Sequence, residues 1–147
     1  MTTAASTLLA RVLTATLCLA TAQETLAASP LTDVPGDPAR GREIYQDMER
    51  GHCALCHPLP GSNIAFEGNI GPSLANVGDR LDAAQLRARL IDPTVQNPET
   101  VMPAYFRTEG LIQVQRQYQG QTILTAQEIE DLVSFLRQQQ AQDDHDR

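Results

Sequence analysis

Apolar residues near the C-terminus recur three and four positions apart, at Ile129, Leu132, Val133 and Leu136, which lays a continuous stripe along one face of an α-helix. Thr125-Ala126-Gln127-Glu128 precedes the stripe as a capping box, in which the Thr hydroxyl and the Glu carboxylate each satisfy a backbone N–H that the first turn leaves open. A helix of this kind must bury its stripe against a partner. Asp37-Pro38 supplies the start of one, an N-cap acid followed by proline at the first helical position. The spacing predicts a helix from 38 to about 50, ended by Gly51, with Gly41, Ile44, Tyr45 and Met48 on one face. Glycine inside a helix costs about 1 kcal/mol relative to alanine. That cost is offset where a second helix crosses so closely that no side chain fits, so the Gly41/Tyr45 face is expected to meet the last helix. A third helix is predicted from the Asp82 cap to about 91, with Leu86 and Leu90 inward and Asp92-Pro93 closing it. Arg80, Arg87 and Arg89 are expected on a solvated face, or in a partner contact. Residues 58–71, with Pro58, Pro60, Gly61 and Gly68, read as an irregular loop, and 110–124 as a short hairpin or irregular insert. The fold class expected is all-α with long loops.

The ends of the chain have a different character. Residues 1–22 carry one basic residue, Arg11, then an apolar run from Val12 to Ala22 that is too short to cross a bilayer and ends in Ala20-Thr21-Ala22. This reads as a secretory signal cut near Ala22, with a second possible cut near Ala27 or Ala28. Leu17 before Cys18 does not suit lipoprotein processing, so no lipid anchor is expected. Residues 23–36 read as a loose arm, 37–140 as one domain, and 141–147 as a polar tail. The chain contains no Lys, and its net charge of −7 argues against nucleic acid or an anionic membrane surface as partner. Aromatic residues make up 4% of the chain and Trp is absent, so side chains alone would give a thin core.

Export leaves Cys53 and Cys56 as the cysteines of the mature protein, within Gly51-His52-Cys53-Ala54-Leu55-Cys56-His57. Cys-x-x-Cys-His is the attachment pattern of a c-type haem. Two thiols one helical turn apart can each add across a vinyl group of one porphyrin, and the histidine that follows lies under the iron as proximal ligand. A zinc site would need further ligands that the mature chain lacks as a second Cys pair. A thioredoxin-like pair would sit in a βαβ unit, for which there is no pattern. A disulfide across so short a loop leaves His57 without a role. An exported chain with just two cysteines is best explained by a covalently held cofactor.

Two downstream stretches are candidates for completing such a site. A ligand histidine normally donates its other ring N–H to a carbonyl, and in Gly71-Pro72-Ser73-Leu74 the Pro72 carbonyl is the candidate acceptor, with Leu74 packing on the ring; an ordinary Gly-Pro turn is the other reading. In Asn97-Pro98-Glu99-Thr100-Val101-Met102-Pro103, Met102 sits between prolines that stiffen the loop and is the candidate ligand on the far face of the iron. Met48 is expected as core filler. His52 lies too near the attachment site to cross the ring, and His145 sits in the tail. The remaining alternative is an open or His-ligated iron.

Together, Gly41/Tyr45, the Cys53 to His57 motif, Gly71-Pro72-Ser73-Leu74, Met102-Pro103 and the terminal amphipathic helix resemble a class I cytochrome c over nearly the whole mature chain. Asn69-Ile70-Gly71-Pro72-Ser73-Leu74-Ala75-Asn76-Val77-Gly78, the stretch from Asp92 to Tyr105, and Tyr118-Gln119-Gly120 leading to the capping box resemble the SoxX family of monohaem cytochromes. The resemblance implies an all-α class I cytochrome c fold with N- and C-terminal helices crossing beside one covalently bound haem c. It implies Cys53 and Cys56 as thioether positions and His57 and Met102 as axial ligands. It also implies a periplasmic heterodimer with a SoxA cytochrome, which couples thiosulfate oxidatively to a cysteine of the SoxYZ carrier, an L-cysteine S-thiosulfotransferase activity. The chemistry would lie on SoxA, and this subunit would be non-catalytic, passing electrons to a soluble cytochrome c. A free-standing electron shuttle is the alternative.

Overall fold

The computed structural model describes residues 29–141; the expected signal with its possible cuts, Cys18 and His145 lie outside them. Helix α1, Pro38–Gln46, starts where the sequence places it, with the Asp37 carboxylate accepting from the Ala39 N–H at 2.8 Å. It crosses α5, Ala126–Arg137, through the expected glycine. A Cβ on Gly41 would overlap the Asp131 carbonyl and lie 2.7 Å from the Phe135 Cβ, so the two backbones touch at that position. One turn on, the Tyr45 and Phe135 rings meet with centroids 5.8 Å apart. The capping box at the start of α5 is formed, and Ile129, Leu132, Val133 and Leu136 are buried, as are Phe135, Glu130 and Asp131.

The short helices α2 (Cys53–Cys56) and α3 (Val77–Arg80) follow, then α4 (Ala83–Ile91), whose Asp82 and Gln85 form a second capping box. Leu86 and Leu90 point into the core as expected. Arg87 does not lie on a solvated face. It is 4% exposed and donates from Nε and Nη2 to the two Glu130 carboxylate oxygens, each at 2.7 Å, which ties α4 to α5. The arm expected to be loose is also held where it is described. The Leu31 N–H donates to Glu130 at 2.9 Å, the Asp37 N–H to Asp131 at 2.8 Å, and Gly36 lies against the Glu130 carbonyl.

Helix α1 ends four residues short of the expected position. The Asp47 carboxylate accepts from the Glu49 and Arg50 N–H groups and turns the chain out of the helix. Met48 is therefore 43% exposed instead of filling the core. Among the described residues there is no strand: 110–124 is irregular with a 3₁₀ turn at Arg116–Tyr118, the second of the two forms expected, and another 3₁₀ turn, Pro93–Val95, follows α4.

Candidate functional site

The Cys-x-x-Cys-His segment forms one helical turn, closed by the His57 N–H donating to the Cys53 carbonyl at 2.9 Å. His52 enters it in the left-handed region at φ 55°, which turns the chain out of the preceding loop. The Tyr105 hydroxyl donates to the Gly51 carbonyl at 2.7 Å, anchoring the entry. Cys53 is buried and Cys56 partly so. Burial pushes the Cys53 thiol up to about 11, outweighing its hydrogen bonds.

A loop lies along the motif and aims its histidine. The Gly68 N–H donates to the Ala54 carbonyl at 2.8 Å, Gly71 to Cys56 at 2.8 Å and Leu74 to Pro58 at 2.9 Å. This ladder sets the Pro72 carbonyl 2.7 Å from His57 Nδ1, the pairing expected from the sequence, and excludes a Gly-Pro turn without that contact. A carbonyl can accept only, so Nδ1 carries the proton and Nε2 presents a lone pair. Gly71 lies flat on the imidazole; a Cβ there would stand 2.6 Å from Nδ1.

Sequence reasoning missed the groups beneath the motif. Tyr45 Oη lies 2.8 Å from both the His57 carbonyl and Glu67 Oε1. Glu67 also accepts from Ser62 Oγ at 2.6 Å and the Leu59 N–H at 3.1 Å. Burial raises the Glu67 carboxyl, but these hydrogen bonds together hold it below the usual carboxylate range. No motif in the sequence marks Glu67: it gathers Leu59 and Ser62 of its own loop and Tyr45 of α1.

Cys53, Cys56, His57, Pro72, Leu74 and Met102 all line one cavity of about 800 Å³, together with Leu86 and Leu90 of α4 and Leu132 and Leu136 of α5. Exposed His52 lines it too, beside the thiols. Met102 reaches it from the loop after Pro93–Val95, where its N–H donates to Thr100 Oγ1 at 3.1 Å. The Tyr105 N–H closes that loop onto the Leu90 carbonyl at 3.0 Å. Arg80 and Arg89 line the same cavity. A smaller cavity of about 330 Å³ on the 108–120 insert has no thiol, imidazole or charged side chain. A large apolar cavity with two thiols, an oriented imidazole and a thioether fits a covalently held haem: sulfur for the tether, nitrogen and sulfur for the iron, and hydrocarbon for the ring.

The family model for cytochrome c matches residues 38–140. The solved structure described as "Crystal structure of SoxXA from P. pantotrophus" contains a chain 32% identical to this one, superposing with a TM-score of 0.71 and covering 77% of this chain and 88% of that one. No curated protein sequence matches. Cytochromes c carry covalently bound haem c and transfer electrons, and no described helix here is long and apolar enough to cross a membrane. With the crossed helices, the all-α class I architecture and the Cys-x-x-Cys-His turn facing one apolar cavity, the chain belongs to the cytochrome c family, as a SoxX-like member.

Proposed function

We propose that this chain is the subunit through which electrons leave a periplasmic SoxXA complex. Cys53 and Cys56 hold one haem c by thioethers, His57 and Met102 ligate its iron, and the Pro72 carbonyl fixes the His57 tautomer. The observation that carries the reading is the convergence of two thiols, one aimed imidazole and one thioether on a single apolar cavity. A His/Met pair raises the reduction potential of the iron, which suits an acceptor. It also leaves no coordination position for substrate, and the mature chain has no further cysteine, so this subunit forms no bond with the substrate. Joining thiosulfate to the SoxYZ cysteine thiol releases two electrons and a proton. The bond forms on SoxA, and the electrons pass singly through this haem to a soluble cytochrome c. The likeness to a chain of the SoxXA structure supports the SoxA partner.

Two measurements test this. Tagged protein recovered from its native periplasm is expected to bring down a second c-type cytochrome; a chain that purifies alone and exchanges electrons freely with unrelated partners is a free shuttle. Ferric holoprotein is expected to show the red-end absorption band of Met–iron ligation and to lose it in Met102→Ala, and an unchanged Met102→Ala spectrum would reject Met102 as ligand.

A further inference from the structure

His57 is held at three points. Its N–H donates to the Cys53 carbonyl at 2.9 Å, its Nδ1 faces the Pro72 carbonyl at 2.7 Å, and its own carbonyl lies 2.8 Å from Tyr45 Oη. The third contact comes from α1. Tyr45 is 1% exposed, its ring packs on Phe135 of α5, and its hydroxyl meets Glu67 Oε1 at 2.8 Å as well as the His57 carbonyl. A hydroxyl has one proton, while a carbonyl and an ionised carboxylate can only accept, so the two oxygens compete for it. The bond to the charged oxygen is the stronger of the two.

Glu67 is surrounded by neutral donors. Besides Tyr45, Ser62 Oγ donates to Oε1 at 2.6 Å and the Leu59 N–H to Oε2 at 3.1 Å. Asp47, Asp92, Glu128, Glu130 and Asp131 each pair with an arginine, whereas Glu67 pairs with no cation among the described residues. Neutral donors stabilise the ionised form without cancelling its charge. The next residue, Gly68, donates its N–H to the Ala54 carbonyl at 2.8 Å, which holds that charge against the Cys-x-x-Cys-His turn.

We propose that Tyr45 and Glu67 are positioning residues for His57, and that the carboxylate placed beside its turn sets the reduction potential below the value a His/Met pair alone would give. The inference rests on the haem reading above. Ferric haem carries one more positive charge than ferrous haem, so a fixed negative charge nearby favours the ferric state. The Tyr45 hydroxyl draws off part of that charge and ties the carboxylate to the backbone of the ligand. A subunit that passes electrons on must release them as well as accept them, and Glu67 eases the release.

Redox titration of the isolated, haem-loaded protein at neutral pH tests this. Glu67→Gln is expected to raise the midpoint potential with the Met–iron band retained, and Glu67→Asp, which keeps the charge, to stay closer to wild type. Glu109→Gln removes the same charge from an exposed side chain that does not line the cavity, and is expected to move the potential much less. Tyr45→Phe keeps the ring against Phe135 and removes one donor from the carboxylate, so the midpoint is expected to fall. In the Glu67→Gln background the same change is expected to have little effect. Loosened packing alone would not give shifts of opposite sign that depend on each other. An unchanged potential in Glu67→Gln, or one that moves no more than in Glu109→Gln, would overturn the proposal. Should Glu67→Gln yield no folded holoprotein, Tyr45→Phe decides, and a midpoint that does not fall would overturn it. A colourless wild-type preparation would instead sink the haem reading, so the two failures are distinguishable.

Discussion

At the Gly71 Cα there is no room for a methyl group, because the His57 ring occupies the space where it would go. Gly71→Ala forces either the imidazole or the 68–74 loop to move, and the loop is pinned to residues 54–58 by three backbone hydrogen bonds. The ring yields first and loses its contact with the Pro72 carbonyl. The expected cost is about 1–3 kcal/mol, the usual range for overpacking a filled site, together with altered His–iron spectroscopy in the holoprotein. A variant with wild-type spectrum and denaturation midpoint would mean that the ladder does not fix the ring. The Pro72 contact was legible because the chemistry of a ligand histidine demands an acceptor and Gly-Pro offers one at the right place. Arg87 was not legible. Its sequence neighbours give a charged helix face, whereas the carboxylate it pairs with, Glu130, lies 43 positions away.

Between elements, the α1–α5 crossing is set by the position where a side chain is missing. A Cβ at Gly41 would overlap the Asp131 carbonyl and crowd the Phe135 Cβ, and neither is the free end of a flexible chain. Gly41→Ala gains about 1 kcal/mol of helix propensity. It loses more by driving the helices apart and opening the Tyr45–Phe135 contact, so the net effect is destabilising by about 1–3 kcal/mol. Chemical denaturation of the holoprotein measures this, and a variant more stable than wild type would show that the crossing tolerates separation. The crossing was readable because an unfavourable residue in a good helix needs a reason from outside it. The end of α1 was not, since the periodic pattern runs on through Met48 while a local Asp47 side-chain turn stops the helix at Gln46. Local hydrogen bonding overrode periodicity there.

Over the whole molecule, two adjacent carboxylates on α5 gather segments that are remote in sequence. Glu130 binds Arg87 of α4 and the Leu31 N–H, while Asp131 binds Arg40, the Asp37 N–H and Gln127. Burial raises both carboxyls, but the hydrogen bonds and the paired arginines outweigh it, so both lie below the usual carboxylate range. A depressed folded-state pKa contributes stability that is fully present above the unfolded value, about 3.9 for Asp and 4.3 for Glu. That stability is lost as pH falls through the lower folded value. Urea midpoints of the holoprotein are therefore expected to change little between about pH 7 and 5 on account of these groups and to fall steeply below about pH 4. Protonation releases the 31–37 arm and the start of α1 together, because both hang on the same pair. Asp131→Asn retains an acceptor but loses the charge, so it should be less stable at neutral pH and show a shallower acid limb. If its acid limb is as steep as that of wild type, the stability lost in acid resides in other carboxylates, and the arm is held by packing instead of by charge.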